Sequence, residues 1–381
     1  MACEIDLCLN AEQAAPKQPR KVIMPVTLRQ VAALAGVSPV VVSRVLHNKA
    51  LAIRVADGTA ERVRKAAKEL GYRKNITAVN FRAKQTMTVG MLHGMGSVIV
   101  PLEGGTKYLA TLMDGIIAGT FSNGYSVLLC PQLLGQTPDD AMSDGRCDGL
   151  ILFNVELVPE NMEMLERCTL PLVLLHTPAR VFGQNVPSII CDNEQGVGLA
   201  MDHLIEMGHR RIAFVEDTPE YSQGMILGKL CHDHPLLATP KGITSCSYEM
   251  NVRSNAYLDI ALRHGLDLNS SDVIHVTDTD RLFRGGYTAA LCFPDGVAGR
   301  VYERAAELGV QIPDDLSVVG FDSTSYCDGL RPTLTSVIQP LRAMGQQAAE
   351  TLVGLIRGEE IDPKETVFPC GFQIRESVAR V

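Results

Sequence analysis

The residues best suited to do chemistry near the start of this chain are basic side chains. Residues 23–85 contain twelve Lys and Arg against three Asp and Glu, a net charge of +9. The full chain of 381 residues carries −8 and residues 1–22 are neutral, so residues 86–381 carry −17. Concentrated positive charge attracts polyanions, whereas an acidic remainder repels them. This distribution predicts that one end of the protein binds a polyanion.

Thiols and imidazoles are the next candidates, as metal ligands or nucleophiles. The eleven cysteines are scattered singly, without a Cys-x-x-Cys pair or a Cys/His cluster at zinc-ligand spacing. Most lie in apolar runs such as VLLC and SIIC, which is typical of buried, reduced thiols in a cytoplasmic protein. Isolated histidines are interpreted as helix caps or core partners, among them His93, His176, His203 and His209. We therefore expect no metal site and no cofactor.

Motifs of common enzymes and of membrane proteins are missing from the sequence. The nearest approach to a dinucleotide-binding loop, GMLHGMGS at residues 90–97, is not Gly-x-Gly-x-x-Gly, and neither a P-loop nor Gly-x-Ser-x-Gly occurs. No apolar run reaches the roughly 18 residues of a membrane span. Residues 1–24 lack the apolar core of a secretory signal and are predicted to be a flexible tail, with Met24 as an alternative start. Catalysis is not expected, and a nicotinamide-dependent oxidoreductase is a disfavoured alternative.

Two short helices around a glycine turn must position the first basic side chains. In TLRQVAALAGVSPVVVSRVLHN, residues 27–48, apolar side chains recur at helical spacing at Leu28, Val31, Ala32, Leu34 and Ala35. Gly36 ends this helix, Ser38 caps the next, and Pro39 takes its first position. The second helix is predicted to turn inward Val42, Val45 and Leu46, and outward Val40, Ser43, Arg44 and His47. A β-strand is excluded because Pro39 opens the segment and Ser43-Arg44 breaks the two-residue alternation.

A third helix is predicted in TAERVRKAAKELGY, residues 59–72. Its apolar face holds Val63, Ala66, Ala67 and Leu70, and Gly71 ends it. Three short helices on a segment of net charge +9, two of them joined by a tight glycine turn, predict a helix-turn-helix DNA-binding domain. The start of the second helix would then enter the major groove.

The acidic remainder alternates apolar runs with helical patterns. The predicted strands are TVGML, YSVLLC, CDGLILF, LPLVLLH, SIICD, RRIAFV, DVIHV, TAALCF and DLSVVGFD. Strands that alternate with helices form parallel sheets. Two such sheets joined by several crossings enclose a cleft, and ligands in such folds bind at the carboxyl ends of the strands.

Several of these segments make the chain similar to the lactose/galactose-repressor (LacI/GalR) family of bacterial transcription regulators. They are VTLRQVAALAGVSPVVVSRVL, ERVRKAAKELGY, CDNEQGVGLAMDHLIEMGHRRIAFV, ELGVQIPDDLSVVGFD, RPTLTSVIQPLRAMGQQAA and RES, so the resemblance runs from about Val26 to the end. It implies a small all-α helix-turn-helix domain and an α/β periplasmic-binding-protein-like effector domain of two Rossmann-like subdomains. It also implies a homodimeric, cytoplasmic repressor of a pseudo-palindromic operator in double-stranded DNA, controlled by a small effector such as a sugar. The alternative is a solute-sensing protein with a vestigial basic end.

The resemblance implies which side chains of the basic end meet DNA. The base-reading positions fall on Pro39, Val40 and Arg44, with Val41 and His47 beside them, and the phosphate-contacting positions on Thr27, Ser38, Ser43 and Thr59. Many relatives have polar residues at the first two positions; apolar side chains read thymine methyl groups, whereas Arg44 can donate to guanine O6 and N7. Alternatively, Val40 and Val41 pack on the neighbouring helix. Relatives cap the third helix with Ser where this chain has Ala56, and Asp57 is expected to substitute.

Residues 74–85 resemble the family's hinge, a short helix that forms when two copies meet in the minor groove. Asn75 and Ala78 match its pattern, and Phe81 takes the position of the side chain that unstacks the central base step. Lys74 replaces the usual proline and Val79 a common arginine. The alternative is a plain linker.

The resemblance also places three effector-binding side chains in the cleft. Arg253, in RSNAYLDIALRHGL, would grip hydroxyls or carboxylates, which suits a planar guanidinium. Asp322, in GFDS, would accept hydrogen bonds from hydroxyls, and Tyr108 would stack on a ring. Each of the three could instead be a satisfied structural group.

The predicted domain boundaries follow from these assignments. They are a tail at 1–24, the helix-turn-helix domain at 25–73, the hinge at 74–85 and the effector-binding and dimerisation domain at 86–381. Within the last, the N-subdomain is predicted at about 86–192 and 336–365 and the C-subdomain at about 193–335 and 366–381. The chain would cross between them near Asp192, Thr335 and Thr366.

Overall fold

The structure is a computed structural model of the chain. It describes residues 26–47, 55–74, 80, 85–93, 107–130, 145–155, 159–183, 185–217, 248–362 and 364–381. The chain divides into two compact units, Met1–Arg82, here called the helical unit, and Ala83–Val381, here called the body. Among the described residues no single helix is long and apolar enough to cross a membrane; one bent pair, the first two helices at 103°, passes that test together.

Three helices form the described part of the helical unit: α1 (Leu28–Ala35), α2 (Pro39–His47) and α3 (Asp57–Glu69). Thr27 begins α1 with a capping box, in which Gln30 Oε1 accepts a hydrogen bond from the Thr27 N–H at 2.8 Å. Gly36 ends this helix at a φ of 67°, a left-handed conformation that favours glycine. Ser38 Oγ accepts from the Val41 N–H at 3.4 Å, which confirms the predicted cap of α2.

Small and branched apolar side chains from all three helices build the core of this unit: Val31, Ala32, Ala35, Val42, Val45, Ala60, Val63, Ala66 and Ala67. Leu34, which shares the helical spacing of these apolar side chains, is 49% exposed. One expectation was wrong. Asp57 does not cap α3. Ala56 occupies the N-cap position, where no side chain makes a capping hydrogen bond. Asp57 instead lies in the first turn, where the helix dipole favours its negative charge.

Among the described residues the body contains two six-stranded sheets. The strands are β1 (Thr88–His93), β2 (Ser126–Leu129), β3 (Gly149–Phe153), β4 (Leu172–Leu175), β5 (Ser188–Cys191), β6 (Ile212–Glu216), β7 (Val273–His275), β8 (Ala289–Phe293), β9 (Ser317–Asp322), β10 (Thr335–Ile338), β11 (Glu365–Phe368) and β12 (Gly371–Gln373). The helices are α4 (Tyr108–Ser122), α5 (Pro159–Arg167), α6 (Asn193–Glu206), α7 (Tyr248–Arg263), α8 (Thr279–Arg284), α9 (Asp295–Leu308) and α10 (Leu341–Ile356). The predicted strands correspond to β1 through β9.

The two sheets are of the parallel type that the alternation of strands and helices predicts. The first has the order β11-β5-β4-β3-β1-β2 and is parallel throughout. The second has the order β12-β10-β9-β8-β6-β7 and is parallel except for β12, which runs antiparallel to β10. Strands β3, β4, β5, β6 and β9 are buried along their whole length. Such continuous burial is expected where helices cover both faces of a sheet.

Along its described strands and helices the chain passes between the two sheets three times. It leaves the first sheet after Cys191, and the next helix, α6, packs on strands of the second. The return crossing follows Ile338 and the last follows Phe368. The crossings predicted near Thr335 and Thr366, and the subdomain boundaries drawn from them, are therefore a few residues too early. The sheet that each strand joins is decided by its hydrogen-bonding partner, which is β9 for β10 and β5 for β11. The apolar pattern of the sequence does not predict these partners.

Glycines allow α4 and α10 to pack closely beside the first sheet. A Cβ on Gly115 would lie 2.0 Å from the carbonyl oxygen of Arg342, and a Cβ on Gly345 would lie 2.3 Å from that of Leu112. The two helix backbones are therefore in van der Waals contact. Because α4 begins at Tyr108, this packing fixes the position of one predicted effector-binding side chain.

Candidate DNA-binding surface and effector site

Helix α2 turns its predicted base-reading side chains outward. Pro39, Val40 and Arg44 are exposed, and Val40 has 59% of its surface accessible. Val42 and Val45, on the other side of the helix, are buried in the core. An exposed apolar tip next to a guanidinium can contact thymine methyl groups and donate to guanine. The alternative in which Val40 packs on the neighbouring helix is wrong.

Other predicted DNA contacts also serve the local fold. Val41 is half-buried and packs against the core, which supports its alternative assignment as a packing residue. Thr27 and Ser38 cap their helices and remain exposed, so their hydroxyls are accessible to phosphate. Thr59 is half-buried and accepts a hydrogen bond from Arg62 at 3.4 Å. Ser43 is half-buried on α2.

Basic side chains dominate the charge of the described helical unit. All of them are exposed: Arg29, Arg44, Arg62, Arg64, Lys65, Lys68, Arg73 and Lys74. The three acids, Asp57, Glu61 and Glu69, are exposed as well. This excess of accessible cations can neutralise DNA phosphates. The hinge residues Asn75, Ala78 and Phe81 and the side chain of His47 lie outside the described residues, so their roles stay predictions.

A second cluster of polar side chains lies in the body, where strands of both sheets end. His176 follows β4, Cys191 ends β5, Asp322 ends β9 and Gln339 follows β10, and all four are buried. His176 and Asp322 have φ angles of 72° and 116°, which are rare for residues other than glycine. Strained backbone and buried polar groups at the carboxyl ends of parallel strands are typical of a ligand site.

His176 connects Tyr108 to Glu249. Its Nε2 lies 2.9 Å from Tyr108 Oη, and its Nδ1 lies 2.9 Å from Glu249 Oε1. The ring of Phe153 packs edge-on against the imidazole, with 5.5 Å between the ring centroids. Tyr108 belongs to α4, which packs beside the first sheet, whereas Glu249 belongs to α7, which packs on α6 beside the second. These contacts therefore link the two subdomains.

Arg253 lies fully buried in the same cluster. Its Nε donates to Asn193 Oδ1 at 2.6 Å, and its Nη2 lies 3.5 Å from Glu249 Oε1. The guanidinium lies 3.8 Å from the ring centroid of Phe293 and 4.0 Å from that of Phe321. Among the described residues Nη1 has no hydrogen-bond partner. A buried guanidinium N–H without an acceptor indicates a ligand that supplies one.

The charges of this cluster depend on burial and on each other. Burial is the largest single influence on the pKa of His176 and lowers it, but the charge of Glu249 and the hydrogen bonds with Cys191 and Glu249 together raise the pKa to about 9. Burial raises the pKa of Glu249, yet His176 and Arg253 together hold it below its usual value. Burial, and then the carboxyl of Asp295, raise the pKa of Asp322. At neutral pH a cationic imidazole and guanidinium therefore face the Glu249 carboxylate, and Asp322 is the acid most readily protonated.

The structure brings the three predicted effector-binding residues into one cluster. Arg253 contacts Glu249, and His176 bridges Glu249 and Tyr108. Gln339 joins Asp322 to this cluster, because its Nε2 donates to Asp322 Oδ1 at 2.6 Å and its Oε1 accepts from the Cys191 thiol at 3.0 Å. Five members were missed from the sequence: His176, Cys191, Asn193, Glu249 and Gln339. The available signal was position, because the first two stand at the carboxyl ends of predicted strands.

The helical unit and the body match two different models of protein families. Residues 27–75 match the model for bacterial regulatory proteins of the lacI family, and residues 201–378 match that for a periplasmic binding protein-like domain. The HTH-type transcriptional repressor PurR of Vibrio vulnificus (strain CMCP6) is 26% identical over 360 residues, which cover 93% of this chain and 99% of that protein.

Two solved structures share the fold. The Lac repressor dimer bound to operator and the anti-inducer ONPF matches with a TM-score of 0.72 and 23% identity, over 93% of this chain and 100% of that one. The complex of the transcriptional regulator CelR with cellobiose matches with a TM-score of 0.64 and 24% identity, over 92% of this chain and 99% of that one.

A helix-turn-helix unit and a two-sheet, periplasmic-binding-protein-like body with a buried polar site define a DNA-binding transcriptional regulator. The chain belongs to the lacI family of bacterial regulatory proteins. The family and the fold class that the sequence motifs implied are thereby confirmed.

Proposed function

We propose that the protein is a homodimeric repressor that binds a pseudo-palindromic operator and responds to a small effector, a sugar or related metabolite, held in the body. The observation that carries this proposal is the pair of sites: an exposed Val40–Arg44 surface and a buried Arg253 that lacks one acceptor. The PurR repressor and the CelR–cellobiose complex support the two halves of the proposal. We propose no catalytic activity, and we place the protein in the cytoplasm, where its DNA is.

Exposed apolar side chains of the body support the homodimer. Helix α4 exposes Ile117 and Phe121, the latter with 61% of its surface accessible, and the edge strand β2 exposes Leu129. Exposed apolar groups on neighbouring elements favour a protein interface. Two copies joined here would present two recognition helices to two half-sites of the operator.

Effector binding would control the DNA through the arrangement of the two sheets. An effector that contacts Arg253 and Asp322 on the second-sheet side and Tyr108 on the first-sheet side favours whichever arrangement brings these groups together. DNA affinity then changes by the difference in effector affinity between the two states. A ligand that bound both states equally would change nothing.

Replacing Arg44 with alanine is expected to weaken operator binding by about 10- to 100-fold, because a bidentate guanine contact contributes roughly 1–3 kcal/mol of discrimination. Fluorescence anisotropy with operator and with random-sequence DNA measures both affinities. Arg64→Ala removes the same charge from an exposed position on α3 and serves as the matched control. If Arg44→Ala weakened binding to both DNAs equally, Arg44 would be a phosphate contact.

Replacing Val40 with glutamine is expected to change base preference without unfolding the helical unit. Val40 is largely exposed, so the substitution leaves the core intact and exchanges a methyl-reading surface for an amide that prefers adenine. Selection of bound sequences from a random DNA pool, with wild type and variant in parallel, measures the preference. An unchanged selected sequence would mean that Val40 does not face a base.

The test of the whole proposal is selection of bound DNA from a random pool by the full chain, with and without a panel of sugars. A selected pseudo-palindrome, bound with an affinity that falls steeply as salt rises, is the expected result. Loss or gain of that binding with one sugar would identify the effector. Sugar binding without affinity for any DNA would contradict the proposal and favour a solute sensor.

A further inference from the structure

Three side chains of the body combine the donor types of a metal site. His176, Cys191 and Glu249 each offer one ligand atom, these atoms all lie within 4.8 Å of one another, and all three residues are buried. They come from the end of β4, the end of β5 and the first turn of α7. Sequence spacing predicted no metal site, because these donors meet only in the folded body.

We propose that His176, Cys191 and Glu249 bind a divalent zinc-type cation. An imidazole nitrogen, a thiolate sulfur and a carboxylate oxygen are the three ligand types that Zn²⁺ takes in proteins, whereas Mg²⁺ and Ca²⁺ prefer oxygen alone. Three protein ligands leave the fourth tetrahedral position open. With Nδ1 as the metal ligand, His176 Nε2 keeps its 2.9 Å contact with Tyr108 Oη, a hydrogen bond that would orient the imidazole.

The donor atoms need only a small movement to fit a metal ion. Tetrahedral zinc with bonds of about 2.0–2.3 Å places its ligand atoms about 3.3–3.8 Å from one another. His176 Nδ1 and Glu249 Oε1 are 2.9 Å apart, and the widest separation among the three donors is below 4.8 Å. Side-chain shifts of up to about 1 Å would satisfy the geometry. The metal would replace the hydrogen bond between the imidazole and the carboxylate.

The surrounding charges balance once the ion is bound. Metal binding displaces one proton from the His176 imidazolium and one from the Cys191 thiol, and both protons are released to solvent. The resulting thiolate and the carboxylate of Glu249 neutralise the divalent cation, and the neutral imidazole adds no charge. Arg253 is the remaining cation, and it interacts electrostatically with the carboxyl of Asp322. The guanidinium is also held over two phenyl rings, so it need not keep Glu249 as its partner.

The position of these ligands gives the metal a regulatory role, which rests on the function proposed above. His176 follows β4 and Cys191 ends β5, both strands of the first sheet, whereas Glu249 lies on α7, which packs with α6 beside the second. An ion bound by all three favours the arrangement in which the two subdomains are close together. A zinc-type cation would therefore act as an effector, or as a co-ligand of the effector, and shift operator affinity.

The test is metal binding by the untagged full chain after removal of bound metal with a chelator. Competition with a zinc indicator is expected to give one tight site. Cobalt is expected to give a thiolate-to-cobalt charge-transfer band. Cys191→Ser is expected to remove the band, and His176→Asn or Glu249→Gln to weaken zinc binding at least about 100-fold, since loss of an outer-shell partner alone costs 10–100-fold. Cys168→Ser, at a half-buried cysteine of the same body, is the matched control.

The outcomes separate the site from its role. The proposed metal site would be wrong if the wild-type protein bound zinc no more tightly than Cys191→Ser does. It would also be wrong if cobalt bound to the wild-type protein without the charge-transfer band. The wild-type spectrum gives this answer even if a variant fails to fold. Operator affinity that zinc leaves unchanged in wild type would overturn the regulatory role alone. Absence of specific DNA binding with an intact metal site would instead contradict the proposed repressor.

Discussion

Replacing Gly115 with alanine is expected to destabilise the body by about 3 kcal/mol, at the upper end of the cost of overpacking a core. The new Cβ would lie 2.0 Å from Arg342 O, 2.8 Å from Arg342 C and 2.9 Å from Gln346 N, which are all backbone atoms. Backbone cannot rotate away as the end of a side chain can, so α4 and α10 must separate. Urea unfolding of the full chain, followed by circular dichroism, measures the loss.

Gly198, in the middle of α6, is the matched control for this substitution. A Cβ there would meet nothing nearer than Ile260 Cδ1 at 4.0 Å. Gly198→Ala is therefore expected to be neutral or to stabilise the body by about 0.5–1 kcal/mol, because alanine loses less conformational freedom in a helix. Equal stability of Gly115→Ala and wild type would mean that the two helices are not in backbone contact.

The consequence of Gly115→Ala for function follows from what α4 carries. The helix begins at Tyr108, whose hydroxyl contacts His176, and its exposed face holds Ile117 and Phe121. Separation of α4 from α10 would displace both the effector site and the proposed dimer surface. We therefore expect this variant to lose operator binding at protein concentrations at which the Gly198→Ala variant still binds.

Local signals made the helical unit predictable. Thr27, Ser38 and Gly36 act on backbone groups within a few residues of themselves, so caps and turns are recorded in the sequence where they act. The apolar runs of the body likewise marked β1 through β9. The subdomain crossings were misplaced because the sheet that β10 or β11 joins depends on partners distant in sequence.

The effector site could be predicted only where family resemblance supplied a position. Arg253, Asp322 and Tyr108 were expected, and the structure places them in one cluster. His176 and Glu249 are separated by long stretches of sequence and approach to 2.9 Å only because β4 and α7 meet at the cleft. No local pattern distinguishes such residues from ordinary core partners, and His176 was interpreted as one.

Replacing Arg253 with methionine is expected to destabilise the body by about 3–5 kcal/mol, the usual cost of removing one member of a buried ion pair. Methionine fills much of the same volume but leaves Asn193 Oδ1 with only the Cys191 thiol, at 3.4 Å, as a donor and deprives Glu249 of a cation 3.5 Å away. The Phe293 and Phe321 rings also lose the guanidinium that packs over both of them. Urea unfolding measures the stability, and anisotropy with the selected effector measures the expected loss of its influence on operator binding.

The cause of this loss can be separated from simple truncation. Arg263→Met, at an exposed position on the same helix, is expected to change stability by no more than about 0.5 kcal/mol. Adding Glu249→Gln to Arg253→Met should recover part of the stability, because it removes the carboxylate left without its guanidinium partner. If the double variant were less stable than Arg253→Met, the contact of Glu249 with His176 at 2.9 Å would contribute more to stability than the missing guanidinium partner costs. If Arg253→Met were as stable as wild type, Arg253 would be held in the cleft for its ligand alone.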